Sequence, residues 1–173
     1  MDGDRDAEFR RYVVERSERL RGFAYLCCGD WQQAEDVVQT ALIRLYGAWH
    51  RAKKDSIEPY VRRIIVNALI DERRLAWFRR VRVGGDGTPE VPVPGREGQT
   101  ESRIVLVEAL LRLPKRQRAA VVLRFWEDLP VEQTAKIMGC STGSVKNLTM
   151  RGLSTLRGLV TEEALVHIEG IPS

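Results

Sequence analysis

The sequence has few of the residues that enzymes and secreted proteins of this size depend on. Three cysteines and two histidines occur among 173 residues, and Cys27, Cys28 and Cys140 have the spacing of neither a metal site nor a disulfide framework. No glycine-rich phosphate loop follows a predicted strand, and no two carboxylates have catalytic spacing. The sequence therefore predicts no catalysis, no metal and no cofactor. We expect the cysteines to pack as small apolar side chains in a reducing cytoplasm.

Long apolar runs and strand patterns are also missing. No stretch approaches the roughly 20 apolar residues of a transmembrane helix, and the charged N-terminus MDGDRDAEFRRYV does not resemble a signal peptide. No segment shows the period-two alternation or the turn signals of a hairpin. These absences predict an all-α protein that works in the cytoplasm and has no membrane partner.

Positive charge is concentrated in one part of the chain. The formal net charge is +4 overall, but residues 103–160 alone carry +6, whereas residues 81–102 carry −2 and residues 161–173 carry −3. A basic segment between two acidic ones favours a polyanion such as nucleic acid as its partner.

Glycine and proline are clustered between two helical patterns. Residues 82–102 contain five glycines and three prolines and keep no helical or strand period. This composition predicts a flexible linker between an N-terminal domain, residues 1–81, and a C-terminal domain, residues 103–160, with an acidic tail at 161–173. The alternative is a long surface loop within a single domain.

The N-terminal domain is predicted to hold three helices. Apolar residues recur at helical spacing over residues 7–28, and Gly29 breaks that pattern. Asp30 is a good N-cap for a second helix, and Ser56 is predicted to cap a third helix with Pro59 in its first turn. The predicted inner stripe of the second helix is Ala34, Val38, Ala41, Leu45 and Trp49.

One face of the third helix combines bases, an amide and an aromatic ring. At 100° per residue, five side chains fall on or beside one stripe, namely Arg63, Asn67, Asp71, Arg74 and Trp77. Such a face suits single-stranded nucleic acid, because charges follow the phosphates and rings stack on bases. On the residues alone, a solvated face with an Asp71–Arg74 pair is the favoured alternative.

Residues 131–151 carry the requirements of a helix-turn-helix unit. VEQTAKIM, residues 131–138, forms a first helix, GCS forms the turn, and a second helix begins at Thr142. Ala135 is small where the helices cross, and Gly139 tolerates the turn, although Thr134 stands at a commonly apolar position. The second helix is predicted to be pinned by Met138, Cys140, Val145 and Leu148.

The outer face of that second helix is predicted to touch DNA. It has bases, amides and hydroxyls but no acid, the pattern that reads base edges in the major groove. Arg151, together with Arg118 and Arg124 on the preceding helix, is expected to meet phosphates. The alternative is a helical hairpin with a solvated basic face. The candidate residues for groove recognition are Ser141, Thr142, Ser144, Lys146, Asn147 and Arg151.

Over roughly residues 6–160 the chain resembles the extracytoplasmic-function sigma factors of bacterial RNA polymerase, most closely an actinobacterial subgroup. The resemblance is carried by GDWQQAEDVVQTAL at residues 29–42, YVRRIIVNALIDERR at 60–74 and LPKRQRAAVVLRFWEDL at 113–129. It implies a non-catalytic protein whose partners are core RNA polymerase, through the β′ clamp and β flap, and promoter DNA. An anti-sigma factor is a further candidate partner.

The resemblance also assigns surfaces. The second helix would dock on the β′ clamp, with its contact formed by Asp36, Gln39, Thr40, Ile43 and Arg44. The third helix stripe and the basic turn with Lys53 and Lys54 would read and melt the −10 element. The helix-turn-helix would read the −35 element, and the linker would pass toward the RNA exit path.

A second hypothesis needs no polymerase. In it the chain is a stand-alone helix-turn-helix regulator whose N-terminal half senses a ligand or dimerises. The amide-rich outer face with Asp36, Gln39 and Thr40, beside the basic turn at residues 50–54, favours the sigma factor.

Overall fold

The structure is a computed structural model that describes residues 2–70 and 101–159, and within these ranges it contains helices and no strand. The helical fold class is therefore confirmed. No helix in these two ranges has the length and apolarity needed to cross a membrane. The α-helices are α1 (Asp2–Cys28), α2 (Trp31–Ala48), α3 (Lys54–Ile70), α4 (Glu101–Leu111), α5 (Lys115–Val121), α6 (Val131–Met138) and α7 (Thr142–Leu159).

The junction between α1 and α2 is fixed by two local signals. Gly29 adopts a left-handed conformation with φ of 71°, which costs a glycine little. The carboxylate of Asp30 accepts hydrogen bonds from the backbone N–H groups of Gln32 (2.9 Å) and Gln33 (3.2 Å), so the predicted N-cap is confirmed. Gly29 has a second role, because a Cβ here would lie 2.5 Å from the Leu111 side chain on α4.

The start of α3 differs from the prediction. The helix begins at Lys54, two residues before Ser56, and the Ser56 hydroxyl donates to the carbonyl of Lys53 at 2.8 Å. Ser56 is therefore not the N-cap. Pro59 is tolerated although it lies beyond the first turn.

The helix-turn-helix unit has the predicted register. Gly139 follows α6 with φ of 65° and ψ of 39°, the left-handed conformation that ends helices. Ala135, Met138 and Val145 are buried, and Thr134 is fully buried. The Thr134 hydroxyl donates to the carbonyl of Pro130 at 3.0 Å, so this polar residue is satisfied at a commonly apolar position.

A π-helical turn, Val122–Trp126, continues α5 toward α6. Its wider hydrogen bond runs from the Glu127 N–H to the carbonyl of Val122 at 3.0 Å, and Asp128 follows with φ of 51°. This turn directs Glu127 into the interior, where it is 5 % exposed. A π turn inserts one residue into the helical repeat, so it changes which side chain faces inward.

The two halves of the chain, α1–α3 and α4–α7, pack against each other. One apolar cluster includes residues of both halves, with α3 against α5 and α6 and α1 against α4 and the π turn. Polar contacts also cross the seam. Arg62 on α3 bonds to Glu127, and Arg118 on α5 donates to the carbonyl of Cys27 at 2.7 Å. The predicted linker lies mostly outside the described residues, and the domain boundaries stay predictions.

Candidate nucleic-acid and protein interfaces

The N-terminus of α7 is organised by Ser141. Its hydroxyl accepts a hydrogen bond from the backbone N–H of Ser144 at 3.1 Å and donates to the Ser144 hydroxyl at 3.0 Å. Ser141 is therefore the side-chain cap of α7. Ser141 is exposed and Ser144 is half-buried. Both hydroxyls form hydrogen bonds at the start of α7.

The outer face of α7 is accessible. Val145, Thr149, Gly152 and Leu156 face inward, and the opposite side is exposed. Since Asn147 and Arg151 lie one turn apart there, they project together from the surface. The predicted groove-reading residues that are exposed are Ser141, Thr142, Lys146, Asn147 and Arg151.

Close packing beneath α7 holds that face in place. Gly152 crosses α5 so tightly that a Cβ would lie 2.7 Å from Val121 and 3.5 Å from the carbonyl of Gln117. The sequence predicts Ala135 as the small residue where α6 and α7 cross, but it does not indicate the separate close crossing of α5 and α7 at Gly152. A glycine inside a helical pattern can be a tolerated interruption or a close crossing, so the pattern alone does not distinguish the two.

A groove of about 290 Å³ runs along one flank of α7, beside the start of α6. Three bases and no acid line it. The hydroxyl of Thr149 is buried in its floor without a hydrogen-bond partner in the described ranges. Met150 is 63 % exposed at its rim and was not among the predicted contacts. The lining residues are Arg124, Val131, Lys146, Thr149, Met150, Leu153 and Arg157.

Arg124 and Arg118 have different surroundings, although both were expected to meet phosphates. Arg124 is half-buried, lines the groove and donates to the carbonyl of Leu129 at 2.5 Å. Arg118 is buried, with 8 % exposed, and donates to four backbone carbonyls at 2.7–3.1 Å. These belong to Cys27, Leu110, Leu111 and Leu113.

The prediction that Arg118 contacts DNA is therefore wrong. Burial lowers the pKa of its guanidinium, and the four carbonyl dipoles compensate for the lost hydration of its charge. Three of these carbonyls lie at the end of α4 or just after it, where a helix leaves acceptors unpaired. Arg118 therefore connects α5 to the C-terminal ends of α1 and α4. Its charge has a structural role.

In the N-terminal half, α3 exposes little of its surface. From Ile57 to Ile70 only Tyr60 and Arg63 are exposed, and Asn67 is half-buried. Lys53, just before the helix, and Lys54, its first residue, are exposed. The other members of the predicted stripe, Asp71, Arg74 and Trp77, lie outside the described residues.

A second groove, of about 490 Å³, lies between the first half of α1 and the turn that joins α2 to α3. Trp49, His50 and Lys54 line it from the turn side, and the Arg5 guanidinium lies 3.0 Å from Nδ1 of His50. Tyr12 is in its wall, and burial followed by the adjacent Glu58 charge raises the pKa of its phenol. The groove has a mixed lining of bases, two aromatic rings, a protonated hydroxyl and three acids, which are Glu8, Glu15 and Glu58.

The outer face of α2 has the composition of a protein contact. Ile43 is 73 % exposed, with Gln39 one turn before it and Tyr46 one turn after it on the same side. Gln39 and Arg44 are exposed, whereas Asp36 and Thr40 are half-buried. The Thr40 hydroxyl donates to the carbonyl of Asp36 at 2.9 Å, so it bonds within its own helix. Tyr46 was not predicted as part of this face.

The buried ion pair across the seam was also missed. Nε and Nη2 of Arg62 lie 3.0 Å and 2.5 Å from one oxygen of Glu127, and the Glu127 side chain is only 2 % exposed. Glu58 on α3 also contacts Arg62, at 3.2 Å, and Arg19 on α1 lies 3.9 Å from Glu127. The partners are 65 residues apart, so no local spacing could indicate them.

Two protein families match the chain. Residues 13–79 match Sigma-70 region 2, and residues 103–156 match Sigma-70, region 4. The chain is similar to the RNA polymerase sigma-E factor of Streptomyces avermitilis, with 36 % identity over 154 residues that cover 87 % of this chain and 83 % of that protein. It is also similar to the ECF RNA polymerase sigma factor SigL of Mycobacterium tuberculosis, with 32 % identity covering 87 % and 88 %.

A solved structure has the same fold. It is the sigma factor RpoE in complex with the anti-sigma factor NepR from Bartonella quintana, and the match has a TM-score of 0.68 over 88 % of this chain and 96 % of that one. The identity is 23 %.

Proposed function

The chain belongs to the extracytoplasmic-function (ECF) group of sigma-70-type sigma factors, and on that premise we propose how its surfaces divide the work of initiating transcription. As a sigma factor it binds core RNA polymerase and promoter DNA and directs initiation. The assignment of residues to each task is the proposal. We place it in the cytoplasm with the polymerase and assign it no catalytic step of its own, since members of this group act through the enzyme they recruit.

The helix-turn-helix reads the −35 element. Asn147, Lys146 and Thr142 face outward from the first turns of α7, which is the part of such a helix that enters the major groove. Arg151 lies one turn further and contacts phosphate, as do Arg124 and Arg157 along the flanking groove. The acid-free outer face of α7 carries this assignment.

The turn before α3 and the groove beside it act on the −10 element. Lys53 and Lys54 attract the strand, and the groove with Trp49 and His50 is large enough for an unpaired base that stacks or bonds there. Arg63 and Asn67 continue this surface along α3. Residues 1–81 thus form the melting and polymerase-binding part, residues 103–160 the −35 part, and residues 82–102 the linker.

The α2 face docks on the β′ clamp. An apolar Ile43, rimmed by Gln39, Arg44 and the half-buried Asp36, has the pattern of an anchor surrounded by polar groups. The C-terminal half would meet the β flap. An anti-sigma factor is proposed as a further partner, and such a protein accompanies the sigma factor in the related structure.

Reconstituted transcription tests the proposal. Core polymerase from an actinobacterium is mixed with the chain, and run-off transcripts are mapped from a promoter library. Wild-type protein should give transcripts with common −35 and −10 sequences. Failure to associate with core polymerase, together with binding to a duplex as a dimer, would instead support the stand-alone regulator.

A matched pair of variants tests the clamp contact. Ile43→Asp combined with Asp36→Arg should abolish co-purification with core enzyme, because it removes the apolar anchor and reverses a charge. Val14→Asp is the control, since Val14 is 81 % exposed on α1, away from the α2 face, and it should bind as wild type does. Circular dichroism checks that both variants keep their helices. A folded double variant that still binds core enzyme refutes the clamp assignment.

A further inference from the structure

The groove along α7 has a lining that promoter DNA alone does not explain. Arg124, Lys146 and Arg157 supply its positive charge, and phosphates would suit them. Met150, which is 63 % exposed, and Leu153 give it an apolar side that a phosphate backbone would leave in water. The groove therefore fits a ligand that carries acids and apolar side chains together.

The floor of the groove contains a hydrogen-bonding group that the described residues do not use. Thr149 is 9 % exposed, and its hydroxyl is buried without a hydrogen-bond partner in the described ranges. Buried hydroxyls in folded proteins are normally bonded, and a carboxylate or a peptide carbonyl would accept this hydrogen. A peptide segment with acidic side chains supplies both kinds of acceptor.

The acidic tail, residues 161–173, has the matching composition. Its charges are Glu162, Glu163 and Glu169, and it contains no Lys or Arg. Its apolar residues include Leu165 and Ile168. The tail lies outside the described residues, and neither the DNA contacts nor the polymerase contact makes use of it. Three acids in one segment thus stand against three bases in one groove.

The tail is attached where it can reach the groove. The groove residues on α7 recur every three or four positions from Lys146 to Arg157, and Arg157 is in the last turn before the helix ends at Leu159. That stretch of helix is about 16 Å long, whereas the thirteen residues of the tail span up to roughly 45 Å when extended. The tail is therefore long enough to reverse direction after α7 and lie along the whole groove.

We propose that the acidic tail binds in the groove of its own chain and withholds Lys146, Arg124 and Arg157 from DNA. Its glutamates pair with these bases, its apolar side chains cover Met150, and one of its oxygens accepts the hydrogen of the Thr149 hydroxyl. The inhibition of DNA binding rests on the proposed function, because it takes this flank of α7 as a surface for phosphates. The docking of the tail does not depend on that function.

Covalent attachment makes a weak contact sufficient. A segment joined to its site by a few residues has an effective concentration on the order of millimolar. A tail that occupies the groove with a dissociation constant of about 0.1 mM would leave about one chain in ten open. The apparent affinity for DNA would then be lowered about tenfold.

Oxidation of Met150 tests the docking without DNA. Hydrogen peroxide converts accessible methionines to the sulfoxide, and mass spectrometry of the peptides gives the rate at each position. Met150 should be oxidised several-fold more slowly in the full chain than in a chain that lacks residues 161–173. Met138, which is 5 % exposed, should be slow in both chains and serves as the internal reference. Circular dichroism checks that the shortened chain keeps its helices.

A triple substitution keeps the tail and removes its charges. Glu162→Gln, Glu163→Gln and Glu169→Gln together should raise the oxidation rate of Met150 toward that of the shortened chain, because the ion pairs that hold the tail are lost. If the shortened chain does not fold, this variant carries the same test.

The matched control removes the same charge elsewhere. It replaces three exposed acids of α1 and α4 that do not line the groove, by Asp4→Asn, Glu18→Gln and Glu108→Gln. The two triple variants have equal net charge, so a difference between them depends on where the acids lie and not on how many there are. Met150 should keep its wild-type oxidation rate in the control.

Fluorescence anisotropy with a mixed-sequence duplex tests the consequence for DNA. The shortened chain and the triple tail variant should bind about tenfold more tightly than the full chain, and by a clear margin more tightly than the control. Their affinity should also fall more steeply with salt, since each regained phosphate contact adds about 0.9 to the slope of log K against log salt.

Equal oxidation rates of Met150 in the full and shortened chains would overturn the docking, and so would a control variant that behaves as the triple tail variant does. Protection of Met150 that disappears on dilution would mean that the tail binds a second copy, which overturns the contact within one chain. Protection without any change in DNA affinity would leave the docking in place and refute the use of this groove by DNA. Because oxidation is measured without DNA, the two failures are distinguishable.

Discussion

The helices α3 and α7 are both assigned to promoter DNA, yet the fold treats them in opposite ways. α7 is buried along one face and keeps Asn147 and Arg151 open to solvent. α3 is covered on almost every side, with Tyr60 and Arg63 as its only exposed residues from Ile57 to Ile70. The difference teaches that the surface proposed for the −35 element is accessible as it stands, whereas the surface proposed for the −10 element is confined to the start of α3 and one edge of that helix.

The largest expected effect is a loss of stability when Arg118, in the C-terminal half, is substituted. Arg118→Met removes a guanidinium that serves four buried carbonyls, so the free energy of unfolding should fall by about 3 kcal/mol, at the high end for one substitution. Arg116→Met is the control on the exposed side of α5 and should change stability by less than about 0.5 kcal/mol. Urea denaturation measures both, and equal values would contradict the structural role of Arg118.

A smaller effect is expected on the DNA affinity of α7. Asn147→Ala should weaken binding to a −35 duplex by roughly 1–3 kcal/mol and relax its base preference at one position. Arg151→Ala should weaken binding to all sequences and reduce the salt dependence by about one phosphate contact. Fluorescence anisotropy at several salt concentrations separates the two. An Asn147 variant with unchanged affinity and preference would refute the register given to α7.

A third prediction concerns the turn before α3. Lys53→Ala with Lys54→Ala, or Asn67→Ala alone, should leave recruitment of polymerase intact and slow promoter opening several-fold, by about 1 kcal/mol in the barrier. A template with a pre-melted bubble should restore the rate, because unpairing is no longer required. Stopped-flow fluorescence of a base analogue in the −10 element follows the step. Equal defects on duplex and bubble would place these residues elsewhere.

The smallest effect uses the cysteines as reporters of the seam. Burial, followed by the neighbouring Cys28, raises the pKa of the Cys27 thiol, so Cys27 stays protonated at neutral pH and should react with a maleimide far more slowly than Cys140, which is half-buried near the α6–α7 turn. The variant Arg62→Met should accelerate Cys27 and leave Cys140 unchanged. Mass spectrometry of the labelled peptides checks the order, and faster labelling of Cys27 than of Cys140 in the wild type would contradict it.

Sequence reasoning worked where the deciding contacts are local. Asp30 and Gly139 act within three or four residues of their position, and a helix-turn-helix register is a repeat of such signals. The prediction that Ser56 caps α3 was wrong, although it too depends on a local contact. The residue type suits a cap, but its hydroxyl donates to the carbonyl of Lys53. The residue type shows which hydrogen bonds a side chain can form, but it does not show which of them forms.

The contacts that join the halves were not predictable in this way. Glu127 meets Arg62 and Arg118 meets Cys27 across 65 and 91 residues, and each arginine has the sequence context of an ordinary surface base. The basic character of residues 103–160 led to DNA contacts for Arg118, since charge alone does not reveal which arginines turn inward. For α7 the predicted residues are exposed except for the half-buried Ser144, because the apolar register of the helix fixed the outward direction independently of charge.

The π-helical turn at Val122–Trp126 makes this chain sensitive to its length at one place. If one residue of the turn were deleted, an ordinary α-helical repeat would replace it, and every later residue would rotate by about 100° relative to α5. Glu127 would leave the interior and α6 and α7 would be re-aimed, with each helix itself unaltered. A single-codon deletion here would therefore rotate the helix-turn-helix relative to the rest of the protein.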